Sequence, residues 1–162
     1  MCNETANMKI CVFSDSHGCA EHMITAITRE DPTLCFFLGD GERDLAAVQA
    51  RFPALPFYAV RGNCDLRSRL SSSLVCSIGG VSIFAAHGHL YNVKYEPVPE
   101  TLAEAACEAG ARVALFGHTH LPYCGEYGLL LLNPGSIGRS AHPSYGLLHI
   151  EDGRCTAELK TL

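Results

Sequence analysis

Lys9-Ile10-Cys11-Val12-Phe13-Ser14-Asp15-Ser16-His17-Gly18 decides the reading of the whole chain. Its first half is a β-branched and aromatic run of strand type. The run ends in a polar cluster, Asp15-x-His17, closed by a glycine. Ala20, Met23, Ile24 and Ile27 then recur at helical spacing, which predicts a helix over Cys19–Glu30. The same order of events is repeated downstream. Leu34–Leu38 is a short all-apolar run, as expected of a strand covered on both faces, and it ends at Gly39-Asp40. A second helix is predicted over Asp44–Arg51, with Leu45 and Val48 on one face and Pro53 as its stop. Phe57–Val60 reads as the third strand and runs out into Arg61-Gly62-Asn63-Cys64-Asp65.

The next segment changes character. Leu74–Ile78 and Val81–Ala86 are separated by Gly79-Gly80, a two-residue hairpin signal, and the second of these strands ends at His87-Gly88-His89. Pro99–Ala109 is a third predicted helix, closed by Gly110. Arg112–Phe116 leads into Gly117-His118-Thr119-His120, and four further strands follow: Tyr123–Glu126, Leu129–Leu132, Tyr145–Ile150 and Arg154–Leu159. A β-α-β-α-β start followed by hairpins and one more helix predicts an α/β fold of the layered α+β kind, with mixed sheets and helices outside. No repeat or linker divides the chain. Residues 1–7 are expected to form a flexible extension and residues 8–162 a single domain.

Composition narrows the function classes. At 162 residues, with 48% hydrophobic and 18% charged residues, the chain has the length and apolar content of one globular domain rather than a disordered one. No apolar run approaches the roughly 20 residues of a membrane span, and the polar N-terminus lacks the apolar core of a signal peptide. A net charge of −5 without Lys/Arg clusters argues against general nucleic-acid binding. It also means that an anionic substrate must be drawn in by something other than net charge, such as bound metal. Nine cysteines, an odd and scattered set without a C-x-x-C pair, point to unpaired thiols and a reducing, cytoplasmic setting.

The clusters at the strand ends carry the chemistry. In open α/β sheets ligands bind outside the carboxyl ends of strands, so the five loops should converge. Together they hold two Asp, one Asn and five His, a mixed oxygen and nitrogen donor set suited to transition metals. Each cluster alone is unremarkable: Gly-Asp is usually a turn, Asp15 could cap the following helix, and Asn63 could be a plain turn residue. Five in succession, each at a strand end, are not explained that way.

This constellation resembles the calcineurin-like metallophosphoesterase superfamily, whose signature runs D-x-H, G-D, G-N-[HCD]-[DE], H and G-H-x-H. The resemblance covers nearly the whole chain from Met8 and is greatest to the compact bacterial and archaeal phosphodiesterase branch. It implies two mixed β-sheets packed as a sandwich and flanked by helices. It implies two divalent metal ions, one held by Asp15, His17 and His120, the other by Asn63, His87 and His118, with Asp40 bridging both. Manganese is the first expectation, with zinc, iron or nickel as alternatives. The implied reaction is hydrolysis of a phosphate ester by a hydroxide lying between the ions, with Asp40, Asn63 and His118 at its centre. Asn133-Pro134-Gly135-Ser136 resembles the family's last active-site loop, which places Asn133 and Ser136 at the substrate. It is at the same time a β-turn with Pro at its second and Gly at its third position. Arg61 can either bind phosphate in two-pronged fashion or simply stand on the surface.

Cys64 departs from the commoner G-N-H-[DE] pattern, whose His is the proposed general acid, and leaves that role vacant. His89 is expected beside the ligands or exposed, His22 and His149 in structural or surface roles, and His142 either reaching the site or covering it. The expected partner is a small phosphate ester, with no membrane and with homo-oligomers possible. The alternative to an enzyme is a non-catalytic binding module, because the same fold serves in the retromer subunit, which resembles an enzyme with an incomplete site.

Overall fold

The computed structural model describes residues 7–162; residues 1–6, the bulk of the expected N-terminal extension, lie outside that range. The chain runs β1 (Met8–Phe13), α1 (Ala20–Glu30), β2 (Leu34–Phe37), α2 (Glu42–Arg51), β3 (Phe57–Ala59), β4 (Ser73–Ile78) and β5 (Val81–Ala86). It continues with α3 (Glu100–Glu108), β6 (Val113–Leu115), β7 (Pro122–Glu126), β8 (Leu130–Pro134), β9 (Ser144–Glu151) and β10 (Arg154–Thr161). Two five-stranded sheets result, ordered β10-β9-β1-β2-β3 and β4-β5-β6-β8-β7. In the first, β1, β2 and β3 are parallel and β9 and β10 antiparallel to their neighbours. In the second, β5, β6 and β8 are parallel while β4 and β7 close the edges antiparallel. Both sheets are therefore mixed, as expected.

Strand alternation builds the layers. Ile10, Val12, Leu34 and Phe36 turn inward and meet Ile83, Ala85, Val113 and Leu115 of the second sheet in one fully buried interface. Their odd-numbered neighbours Cys11, Phe13, Cys35 and Phe37 face outward and are covered by Met23, Ala26 and Ile27 of α1 and Leu45 and Val48 of α2. On the far side Phe84, Ala86 and Ala114 pack against Leu102, Ala103 and Ala106 of α3. Central strands buried on both faces explain the near-continuous apolar runs of the sequence. The Gly79-Gly80 hairpin is as expected, with φ of 55° and 79° and Ile78 facing Val81.

None of the three helices is capped by its own N-terminal side chain. Carboxylates from elsewhere bind main-chain N–H groups at or just ahead of all three, Glu96 taking the Thr101 N–H in the first turn of α3 at 3.0 Å. Asp44, on α2, accepts the Gly18 N–H at 2.8 Å, just ahead of α1. Asp65, in the loop after β3, accepts the Gly41 and Glu42 N–H groups at 2.9 and 3.0 Å. The Asp65 anchor starts α2 at Glu42, two residues before the Asp44 start read from the sequence.

Candidate metal centre

The five strand-end clusters meet at one place, above the carboxyl ends of β1, β2, β3, β5 and β6. Asp15 Oδ1 lies 3.0 Å from His120 Nε2 and 3.6 Å from His17 Nε2, and the two imidazole nitrogens are 3.3 Å apart. Next to this set, His87 Nε2 lies 3.1 Å from Asn63 Oδ1, 3.2 Å from His118 Nδ1 and 3.3 Å from Asp40 Oδ2. Asp40 Oδ2 is also 3.8 Å from His17 Nε2, so it faces both sets. The side chains of all seven expected ligands are thus brought together.

The backbone makes this convergence at a cost. Of the nine non-glycine residues with positive φ among the described residues, five are Asp15 (57°), His17 (42°), Asp40 (61°), His118 (68°) and His120 (61°). Left-handed backbone costs a non-glycine residue about 1–2 kcal/mol. It is held here because the chain must turn sharply as each strand ends, and the turn falls on the ligands themselves. Glycine is needed where two such loops touch: a Cβ on Gly62 would collide with Asp40 Oδ1, and one on Gly117 with Ser14 Oγ.

Whether these donors fit metal can be judged from their lone pairs. His87 Nδ1 lies 2.7 Å from the Leu38 carbonyl, which can only accept, so Nδ1 carries the proton and Nε2 is left to point at Asp40 Oδ2 and Asn63 Oδ1. Three acceptor atoms therefore converge. Asp15 is fully buried; its Oδ2 accepts from Ser14 Oγ at 2.5 Å and His118 N–H at 3.0 Å, while Oδ1 has no hydrogen-bond partner. A buried carboxylate oxygen without a partner calls for a cation. Donors about 3–3.5 Å apart are what ligand distances of ~2.0–2.2 Å produce around a single ion. The residues fit a divalent metal.

The electrostatics agree. Burial works to raise the Asp40 carboxyl, but His87 and the Cys64 N–H (2.8 Å from Oδ1) outweigh it and hold Asp40 well below the carboxylate range. Burial would lower His87, yet Asp40 and Asp15 overcome it and push the imidazole up, so the Nε2 lone pair that faces them attracts positive charge, a proton where no metal is bound. His118 is pulled down to about 4 by burial and by the charges of His87 and Lys94, which keeps it a free base. The Cys64 thiol is raised by burial and by Asp40, Asp65 and Asp15, so it stays protonated at neutral pH.

Other sequence candidates take up definite positions. Asn133 is fully buried: its Nδ2 donates to the Gly117 carbonyl (3.1 Å) and Thr119 Oγ1 (2.9 Å), and its Oδ1 accepts the Gly135 N–H. Ser136 Oγ donates to the Asp15 carbonyl at 2.8 Å. The polar atoms of both are thus engaged in clamping the Asp15 and His118 loops. Arg61 is exposed. His89 is half-buried, its ring 5.5 Å from that of His87 and 6.1 Å from that of His118, with Nδ1 unpartnered. His22 bonds the Ile137 carbonyl and His149 pairs with Glu158, both away from the ligands. His142 is exposed and makes none of the centre's hydrogen bonds.

Three supporting residues were not singled out from the sequence. Asp65 accepts the N–H groups of Asp40 and Gly62 through Oδ2, both at 2.8 Å, besides the two at the start of α2. Burial would raise its carboxyl, but these donors hold it below the ordinary range. Asp44 takes a 2.5 Å bond from Ser16 Oγ as well as the Gly18 N–H. Ser14 orients Asp15. The last letter of Gly62-Asn63-Cys64-Asp65 was the one available signal for Asp65; Asp44 and Ser14 gave none, because their partners are remote or backbone groups.

Residues 8–153 match the family model for the calcineurin-like phosphoesterase superfamily domain. The chain is 33% identical over 157 residues to a probable metallophosphoesterase, YsnB, of Bacillus subtilis, covering 92% of this chain and 88% of that one. It is similar to the crystal structure of a conserved protein, a predicted phosphoesterase, from Streptococcus pneumoniae. That likeness has a TM-score of 0.79 and 29% identity, over 96% of this chain and 90% of the other. It shares its fold with Vps29 from Entamoeba histolytica in complex with zinc, at a TM-score of 0.74 and 24% identity over 95% and 99% of the two chains.

Proposed function

The chain belongs to the calcineurin-like phosphoesterase superfamily, and from that premise we propose that it hydrolyses phosphate esters, phosphodiesters first, with two divalent ions. Asp15, His17 and His120 would hold one ion, Asn63, His87 and His118 the other, and Asp40 would touch both. The observation that carries the reading is the convergence of lone pairs around Asp40, together with the buried, partnerless Asp15 Oδ1. When bound, such ions neutralise phosphoryl oxygens and lower the pKa of water toward neutrality. Manganese is the first choice for these oxygen and nitrogen donors, with zinc, iron or nickel as alternatives.

The chain's own residues divide the remaining work. Asn63 is a neutral donor, so only two carboxylates oppose the two ions and net positive charge remains for the substrate. Arg61, exposed two residues before Asn63, would take two phosphoryl oxygens in two-pronged fashion. Asn133 and Ser136 keep the ligand loops in register. Cys64 stands where the family pattern often has a histidine, and its S–H is only a weak hydrogen-bond donor, so it is a poor general acid for a departing alkoxide. No helix of the described residues is long and apolar enough to cross a membrane, and all eight described cysteines are free, in keeping with a reducing, cytoplasmic setting.

A non-catalytic binding module on the same fold is the competing reading, and the complete ligand set favours the enzyme. Elemental analysis after reconstitution, coupled to a screen of phosphomonoesters and phosphodiesters with each metal, separates the two. Two ions per chain and metal-dependent turnover are expected. Absence of metal at saturating manganese would end the enzyme reading.

A further inference from the structure

The cleft on the His17 side of the metal centre carries two arginines that form no ion pair among the described residues. It encloses about 700 Å³, within the range of roughly 300–1,000 Å³ found for small-molecule sites. Its wall includes the ligands His17 and Asp40, then Cys64, Arg43, Leu66 and Arg67. Most of its acids are already engaged. Asp44 is held by Ser16 and Gly18, Asp65 by four main-chain N–H groups, and Asp40 by the Cys64 N–H and the facing histidines. Glu42 alone of these carboxylates accepts no hydrogen bond among the described residues, and two guanidinium groups without an ion pair, Arg43 and Arg67, line the same wall. Arg43 and Arg67 are both exposed, while the lysine ion pairs of the described residues lie elsewhere, at Lys9–Glu30 and Lys160–Glu158.

The loop that presents Arg67 is built rather than loose. Asp65 pins its base, Arg67 adopts a left-handed φ of 68°, and Leu66 beside it is 85% exposed on the cleft wall. The four carboxylates of the wall keep their charge, but three are locked in hydrogen bonds, so the two exposed guanidinium groups are the cationic side chains there that are free to meet an anion. Guanidinium groups match phosphate by paired hydrogen bonds, which a lysine cannot reproduce.

We propose that this cleft binds a second phosphate on the substrate, through Arg43 and Arg67, while the scissile phosphate lies at the metal centre and the connecting arm runs past Leu66. The inference rests on the phosphoesterase reading above and narrows its substrate class: esters whose alcohol arm is itself phosphorylated, in preference to esters of neutral alcohols.

The test compares 1,4-butanediol bisphosphate with butyl phosphate on the manganese-loaded protein. Binding is measured by calorimetry, and also by inhibition of bis(p-nitrophenyl) phosphate hydrolysis. The bisphosphate should bind at least about tenfold more tightly, and Arg43→Gln/Arg67→Gln should shrink that ratio to less than about threefold. Both residues are exposed, so the variant should keep the wild-type melting temperature. A bisphosphate could gain merely by gripping the metals with both ends; a ratio that survives in the double variant therefore overturns the proposal. Equal affinities in the wild type overturn it too. If the reporter ester is not hydrolysed while the calorimetric ratio behaves as expected, the cleft assignment holds and it is the hydrolytic reading that falls.

Discussion

Replacing Asp65 by asparagine preserves the shape of the side chain and removes what it does. The wild-type carboxylate accepts four main-chain N–H groups: Asp40 and Gly62 on Oδ2 at 2.8 Å, Gly41 and Glu42 on Oδ1 at 2.9 and 3.0 Å. An asparagine offers one oxygen, which can keep one of these pairs, and turns an NH₂ donor toward the other pair. Hydrogen bonds to charged acceptors contribute about 1.5–3 kcal/mol each, and a stranded donor costs about 1–3 kcal/mol. The site is half-buried, so water reaches part of it and the full sum is not lost. A loss of about 3 kcal/mol is expected, and for a domain of this length each kcal/mol moves the melting temperature by about 2–4 °C, giving a fall of about 6–12 °C.

The pH dependence has a definite sign. The Asp65 carboxyl is held low in the folded protein, so its contribution is present above its unfolded value, about 3.9, and is lost as the pH falls through the folded value. The gap between wild type and Asp65→Asn should therefore close on acidification below about pH 4. Because Oδ2 joins the Asp40 backbone to that of Gly62, the same change should weaken metal binding by about 10–100-fold, as loss of a ligand's supporting bond does elsewhere. Thermal unfolding of the metal-free protein by circular dichroism and manganese titration by calorimetry measure the two effects separately. A melting temperature within about 2 °C of wild type, with metal affinity unchanged, would refute the idea that Asp65 holds the two loops together.

Four further outcomes are expected. Asp40→Ala should abolish hydrolysis and take the metal content from two ions to one or none, read by elemental analysis. His87→Ala should cost more than about 10²-fold in kcat/KM and His89→Ala less than about tenfold, since His89 makes no hydrogen bond to a ligand; equal losses would move the ligand role within that triplet. General acid catalysis is worth about 10²–10⁴-fold, chiefly for poor leaving groups. Wild-type kcat/KM should therefore fall steeply from aryl to alkyl phosphodiesters, Cys64→His should narrow the gap, and Cys64→Ala should leave it. Burial and the 2.7 Å bond to Glu30 push the Tyr145 hydroxyl up to about 12, so its contribution is whole below an unfolded value of about 10 and lost between pH 10 and 12. Tyr145→Phe should flatten the decline of stability across that window in urea titrations.

Much of this protein could be read from residues in order. The buried strands are legible because a strand covered on both faces must be apolar throughout, and Ile10-Cys11-Val12-Phe13 and Leu34-Cys35-Phe36-Phe37 satisfy that requirement locally. The seven candidate ligands are legible because each lies in a strand-end cluster that holds or adjoins a glycine, so that type, position and order all speak together. That Cys64 stands where the family pattern often has a histidine is legible from that one position.

What the linear chain withheld is whatever depends on two distant segments at once. That α2 begins at Glu42 follows from a carboxylate 23 residues downstream. That Asn133 and Ser136 clamp the ligand loops through buried side chains follows from partners 14 to 121 residues away. That Arg43 and Arg67 share one wall follows only once α2 and the loop after β3 are laid side by side. The donor types at the metal centre were thus determined by the sequence, since a residue's chemistry does not depend on its neighbours in space. Their partnerless lone pairs, their left-handed backbone and the electrostatics that tune them were decided by the tertiary structure, because burial and hydrogen-bond partners exist only after the five loops have met.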